Sequence, residues 1–253
     1  MKNKFLIIMP MYNVEKWVGL ALNMLKLQTH SNFRCVIVND CSTDNTEEIV
    51  KFNIKDDDRF HLISNKTQNG SQLSNGLKAF DFANPDDEEI IIFHDGDDWL
   101  SSTQVLEYLD SVYDNYNCWM TYGNWTRHPE FETGEHMLID IPNIIDNDPY
   151  GYRKFPFIYT HLRTSKSFLW KQLDRKDLID PNTQNYFRSA ADVSIQLPFM
   201  EMCRKEKSHR ILEPLLVLNR NNPESVATVR IKEQKNNEQY IRSLKPYTKY
   251  ERK

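Results

Sequence analysis

Glycine is scarce in this chain, with seven in 253 residues, and neither Gly-x-Gly-x-x-Gly nor Gly-x-x-x-x-Gly-Lys-Ser/Thr occurs. The two commonest glycine-built phosphate cradles, the dinucleotide fold and the P-loop, are therefore disfavoured. Four cysteines, Cys35, Cys41, Cys118 and Cys203, are scattered without a paired spacing, which argues against a zinc site and against a disulfide framework. No apolar run approaches the roughly 18 residues of a membrane-spanning helix. The charged opening Met1-Lys2-Asn3-Lys4 leads only into the short stretch Phe5 to Met9, which does not read as a signal peptide. A basic excess is also missing: the net charge is -4, so nucleic acid is not an expected partner. Reduced thiols and the lack of a leader point to the cytoplasm.

What remains is an ordinary globular composition, 40% hydrophobic, 27% charged and 12% aromatic. The length suits one large domain with a modest appendage. We place the domain at residues 1–230 and a basic polar tail at 231–253. From Arg230 to Lys253 the chain carries eight Lys or Arg against Glu233, Glu238 and Glu251. With tyrosines at 240, 247 and 250 interleaved, this stretch reads as a solvated tail, with peripheral contact to an anionic membrane as the second expectation.

Strand-length apolar runs alternate with helix-period segments through the first half, the pattern of a mostly parallel sheet flanked by helices. Phe5–Met9 reads as a first strand stopped by Pro10, and Val14, Trp17, Val18, Ala21, Leu22 and Leu25 mark the face of a helix capped by Asn13. Cys35–Val38 is a second strand, followed by Asp44-Asn45-Thr46-Glu47 in capping-box form. Phe60–Ser64 is a third strand, Leu73, Leu77 and Phe80 line a helix, and Ile90–Phe93 is the strongest strand of all. Val105, Leu109, Val112 and Tyr116 form another stripe before a strand at Trp119–Tyr122. Residues 127–159 read as long loops. A helix from Ala190 and a strand at Ile211–Leu218 close the pattern.

In an open α/β sheet the ligand sits beyond the carboxyl ends of the strands. Three polar clusters occupy that position: Pro10-Met11-Tyr12-Asn13, Asn39-Asp40, and Asp95-Gly96-Asp97-Asp98. Two carboxylates separated by one small residue at a strand end can turn towards one point, and such hard oxygen donors suit Mg²⁺ or Mn²⁺. Spacing alone leaves open the alternative that these acids merely populate a turn. Lacking a glycine-rich loop, the chain has a metal as its more natural means of holding a diphosphate.

Met9-Pro10-Met11-Tyr12-Asn13, Val38-Asn39-Asp40-Cys41-Ser42-Thr43-Asp44-Asn45-Thr46 and Phe93-His94-Asp95-Gly96-Asp97-Asp98-Trp99-Leu100, in that order, resemble the signatures of the family 2 inverting glycosyltransferases. The resemblance covers Lys4 to Asn124. It implies a GT-A type α/β fold, with a Rossmann-like nucleotide-sugar-binding half at 1–124 and an acceptor half at 125–230. It also implies an inverting, hexosyltransferase-like enzyme using a nucleoside diphosphate sugar, most often a UDP-sugar. Pro10, Tyr12 and Asn13 match the loop that packs on the base, and Asp40 matches the acid that meets uracil. Asp95, Gly96 and Asp97 match the DxD-type cluster for Mn²⁺ or Mg²⁺.

An inverting transfer needs a general base on the acceptor side. In this family it is commonly the Asp of a Glu-Asp pair, which places it at Asp192, although Ala191 stands where the Glu is usual. Arg163 is the candidate for the donor phosphates, with Arg220 and Ser225 in a region that lines the diphosphate or acceptor in relatives. Asn69-Gly70 and Asn75-Gly76 are similar to an Asn/Gly-rich family segment without a definite role. The acceptor is expected to be a glycan, a lipid-linked molecule or a protein. The alternatives are a non-catalytic sugar-nucleotide or glycan-binding module on the same fold, and a sugar-phosphate nucleotidyltransferase, which usually opens on a Gly-x-Gly-x-Arg-type loop missing after Met9.

Overall fold

The computed structural model describes residues 2–134, 139–223 and 230–252. Four parallel strands form its first half: β1 (Phe5–Met11), β2 (Phe33–Asn39), β3 (Phe60–Ser64) and β4 (Ile90–Phe93). Every residue of β1 is buried, as expected of a strand covered by helices on both faces. Those helices are α1 (Val18–Lys26), α2 (Thr46–Ile54), α3 (Gln72–Ala83) and α4 (Val105–Tyr116). Two strands, β5 (Trp99–Leu100) and β6 (Met120–His128), and two short helices, α5 (Asn143–Asn147) and α6 (Gly151–Lys154), follow. Then come β7 (Thr164–Lys166), α7 (Ser167–Lys171), α8 (Ala191–Cys203), β8 (Ser208–Asn219) and α9 (Ile231–Ser243). The eight strands form one sheet in the order β3-β2-β1-β4-β7-β6-β8-β5. β7 runs antiparallel to its neighbours β4 and β6, and β5 runs antiparallel to β8.

Pro10 does not stop β1, which continues to Met11. Along β1, Ile8 turns its carbonyl towards His94 N–H, just past β4, whereas Met11 turns its carbonyl towards Asp40 N–H, beside β2. Pro10 shares the parity of Ile8, and β4 has ended at Phe93 before reaching its level. The missing N–H of the proline therefore leaves no ladder bond unmade.

Asn13 is not the cap of α1: the helix begins at Val18, and Asn13 adopts a left-handed conformation with φ 51°. Its side-chain oxygen accepts from Thr43 N–H at 2.9 Å, and its own N–H donates to Ser42 Oγ at 3.0 Å. Thr46 Oγ1 accepts from Val14 N–H at 2.8 Å and Asp44 from Glu15 N–H at 3.1 Å, so the loops after β1 and β2 are stitched together. The expected capping box is not formed. Asp44 accepts from Thr46 N–H, while Glu47 turns away to Asn39 and Lys51.

The stretch read as long loops contains α5 and α6. The stretch read as a solvated tail packs on the protein. Asn237 and Ile241 of α9 are buried, Tyr240, Tyr247 and Tyr250 lie against the core, and Tyr250 stacks on Phe168. The tyrosines offered to a membrane surface are thus committed to the interior. Under this segment lies an ion pair: the guanidinium of Arg153 (α6) grips both oxygens of Glu201 (α8), and Tyr247 N–H donates to Glu201 Oε2 at 2.9 Å. Arg153 also donates to the Ile241 carbonyl, which ties α6, α8 and α9 together. Among the described residues no helix is long and apolar enough to cross a membrane.

Candidate active site

A cavity of about 510 Å³ opens beyond the carboxyl ends of β1, β2 and β4. Pro10, Tyr12, Asp40, Asp95, Gly96, Asp97, Arg163 and Asp192 all line it, so residues from both halves of the chain meet there. Asn13 is not among the lining residues; its amide is used to join the two loops. Arg220 lines the cavity as well, and Ser225 lies outside the described residues.

Tyr12 is half-buried at the end of β1, where Pro10 and Tyr12 form one wall. Asp40 is 3% exposed and already well supplied with donors. Its Oδ1 accepts from Asn65 Nδ2 at 2.7 Å and Asn69 N–H at 3.0 Å, and its Oδ2 from Gly70 N–H at 2.8 Å. Those bonds fix the 65–70 loop against β2, so Asn69-Gly70 shapes the cavity through its backbone. Asn75 accepts from the side chains of both Asn65 and Asn69 and extends the same network.

Asp95 and Asp97 follow β4 and remain partly exposed, whereas Asp98 is buried. Gly96 between them is required by close approach: a Cβ there would stand 2.7 Å from Met11 Cβ and 3.3 Å from Val14 Cγ2. Asp95 Oδ1 accepts from Gln72 Nε2 at 3.1 Å, and Asp97 Oδ2 from Asn222 Nδ2 at 2.7 Å. Asp98 Oδ1 accepts from Asn219 N–H at 2.8 Å, which anchors the end of β8 to this loop. Enclosure by protein, then repulsion from Asp97 and Asp192 against the pull of Arg163, pushes the Asp95 carboxyl up to about 7. Enclosure also raises Asp97, and raises Asp98 well above the usual carboxylate range with repulsion from Asp97 and Asp95 added.

Three crowded carboxylates destabilise one another in their charged forms. A divalent cation would relieve that excess. Asp95 and Asp97 fit one: both are hard oxygen donors, both reach the cavity, and each is oriented by an amide behind it. Among the described residues, however, no cluster of three or more His, Cys, Asp or Glu side chains stands ready-made around one point. A metal would have to draw its other ligands from a bound molecule or water.

The second charged group is organised differently. Asp192 lies in the first turn of α8, with Oδ2 accepting from Arg163 Nη1 at 2.9 Å and Oδ1 from Val193 N–H at 2.9 Å. It is not the N-cap, a position taken by Ala190. Arg163 also reaches His161 Nε2 through its other terminal nitrogen. Burial, then the charge of Arg163, holds His161 well below the ordinary histidine range, so it is neutral and accepts that bond. Arg163 is therefore spent on Asp192 and His161 in this structure, while its field still reaches Asp95. His94, next to the acidic loop, is buried outside the cavity lining, and burial lowers it to about 4.

Gln72, Asn219 and Asn222 were not suspected from the sequence, whereas the segment from His161 to Arg163 and Arg220 were candidates for the diphosphate or acceptor region, and both reach the cavity. Gln72 and Asn222 carry no local signal, because only the tertiary fold brings them against Asp95 and Asp97.

Among known proteins, the chain is 27% identical over 182 residues to EpsH of Bacillus subtilis (strain 168), an alignment covering 71% of this chain and 49% of EpsH. The structure superposes on S. aureus TarS 1-349 in complex with UDP-GlcNAc with a TM-score of 0.65 at 20% identity, covering 89% of this chain and 61% of that one. It also superposes on glucosyl-3-phosphoglycerate synthase from Mycobacterium tuberculosis in complex with Mn²⁺, UDP and phosphoglyceric acid. There the TM-score is 0.61 at 11% identity, covering 96% and 79% of the two chains. These likenesses establish the GT-A architecture, and the chain spans about half the length of EpsH and 61% of the TarS 1-349 chain. The profile of glycosyl transferase family 2 matches residues 6–211, and the chain belongs to that family.

Proposed function

We propose that this chain transfers a sugar from a nucleoside diphosphate donor, UDP in preference, to an acceptor hydroxyl with inversion at the anomeric carbon. The observation that carries this reading is the single cavity in which Asp95 and Asp97 from one half face Asp192 and Arg163 from the other. Pro10 and Tyr12 offer the surface for the base, and Asp40, through the loop it holds, shapes the adjoining wall. Asp95 and Asp97 would hold Mn²⁺ or Mg²⁺, with Gln72 and Asn222 fixing their orientation. When bound, the metal would supply Lewis-acid neutralisation of the charge on the departing diphosphate. The structural neighbours crystallised with UDP-GlcNAc, or with Mn²⁺ and UDP, support this choice of donor and cation.

On the opposite side, Asp192 takes the proton of the attacking hydroxyl, and Arg163 aims its carboxylate. Ala191, in place of the usual acidic neighbour, leaves Asp192 the only carboxylate among residues 189–193. The acceptor class is expected to be a glycan, a lipid-linked molecule or a protein.

The test is to incubate the protein with a panel of UDP-sugars and Mn²⁺ and follow UDP release. The anomeric configuration of the first-formed product is then read by NMR. Metal-dependent UDP release with an inverted product is the expected result. Release with retained configuration, or none with any donor and acceptor pair, would count against the reading.

A further inference from the structure

Most of the amide side chains lining the cavity are committed to protein partners. Gln72 donates to Asp95, Asn222 donates to Asp97, and Asn75 accepts from Asn65 and Asn69. Two groups differ. Asn219 accepts from Asn221 N–H through Oδ1 but leaves Nδ2 buried without a partner among the described residues. Gln196 lines the cavity from α8 and is only 6% exposed, yet its Oε1 is buried with no hydrogen-bond partner among the described residues.

An enclosed amide without a partner is unfavourable, and such groups are rare in folded proteins unless a ligand or water completes them. The surroundings leave Gln196 little alternative. α8 is buried on nearly all sides, which confines the side chain. Trp170, which lines the same cavity, stacks with Phe80 and with Phe93 at ring-centroid distances of 5.5 and 6.3 Å, and its indole N–H is satisfied by Ser165 Oγ at 2.9 Å. No hydroxyl or carbonyl of that stack bonds to the amide.

Position gives the group a use. Gln196 lies four residues after Asp192 on the same helix, so the two side chains share one face, roughly one turn apart. A sugar placed between Asp95 and Asp192 would present its ring substituents to that face. We infer that Gln196 is a specificity-determining residue that hydrogen-bonds a polar substituent, hydroxyl or acetamido, of the transferred sugar. This inference rests on the donor reading above and adds to it the residue that senses the sugar rather than the nucleotide.

The experiment measures affinity by isothermal titration for UDP, UDP-glucose and UDP-N-acetylglucosamine, each with Mn²⁺, in the natural protein and in Gln196→Leu. Leucine keeps most of the volume and removes both polar atoms. The expected result is unchanged UDP affinity, a loss of about fivefold or more for at least one UDP-sugar, the worth of one neutral hydrogen bond, and a melting temperature of the free protein that does not fall. Which sugar loses affinity distinguishes a hydroxyl from an acetamido contact. Affinities for all three ligands that are unchanged from the natural protein to Gln196→Leu, or an equal loss for UDP and both UDP-sugars, would overturn the inference. Failure of the natural protein to bind UDP or any UDP-sugar would instead overturn the donor reading beneath it. Should Gln196→Leu not fold, Gln196→Asn, which withdraws the amide by one methylene, is expected to show the same selective loss.

Discussion

The two sides of the cavity manage charge in opposite ways. On the β4 side, Asp95, Asp97 and Asp98 stand within four residues of one another, held by neutral amides and one backbone N–H, with all three carboxyls raised by enclosure. On the α8 side, the single carboxylate of Asp192 has its own guanidinium at 2.9 Å. The first arrangement crowds carboxyls whose charged forms a cation would favour. The second is internally balanced and oriented, with Arg163 and Val193 N–H each holding one carboxylate oxygen. The difference fits the proposed division of roles, metal binding on one side and proton transfer on the other, which side-chain type alone could not suggest.

The largest effect is expected at Asp192. Asp192→Asn should lower the turnover of UDP-sugar and acceptor by roughly 10²- to 10⁴-fold while donor affinity stays near its natural value, measured by UDP release and by titration. A parallel loss of donor affinity would place Asp192 with the donor instead. The support beneath α8 comes next. Glu201→Ala leaves Arg153 buried and unpaired, and should cost about 3–5 kcal/mol of stability in denaturant unfolding, with Asp192 displaced as a consequence. Little change in stability would mean that α8 is held by packing alone.

A smaller effect is expected where α3 meets the end of β4. A Cβ on Gly76 would collide with the Phe93 ring, so Gly76→Ala should cost about 1–3 kcal/mol and narrow the cavity, seen as weaker UDP-sugar binding. The smallest concerns the C-terminal segment. Tyr247→Phe removes the hydroxyl that donates to Asp177 and accepts from Asp174 N–H, and should cost about 1 kcal/mol without altering donor affinity.

Much of the N-terminal half was legible because its cues are local. β3 and β4 were read to the residue, since each is an apolar run bounded by polar turns, and Leu73, Leu77 and Phe80 of α3 are all buried at the spacing that announced them. Tyr116 fell off the stripe of α4 and is 58% exposed, because the helix ends there, one residue before Asn117 turns left-handed. Beyond residue 125 the cues are long-range. Arg153 is explained by Glu201 and Ile241, and Tyr247 by Glu201, Asp174 and Asp177, contacts that span tens of residues. A basic, tyrosine-bearing segment read alone looks solvated, and only its partners show it to be packed.

The site divides in the same way. The three clusters after β1, β2 and β4 announced themselves by position, while the groups that orient them did not. Asn13 shows the limit of motif reading: it sits within a signature segment, yet its amide joins two loops.

Whether Asp95 and Asp97 hold a divalent cation against a nucleoside diphosphate, as proposed above, is read by titrating UDP into the natural protein and into Asp97→Asn, each with Mn²⁺ and with EDTA. The natural protein should bind UDP tightly only with Mn²⁺, and Asp97→Asn should bind weakly and equally in both conditions. Equal Mn²⁺ enhancement in both proteins would contradict that proposal.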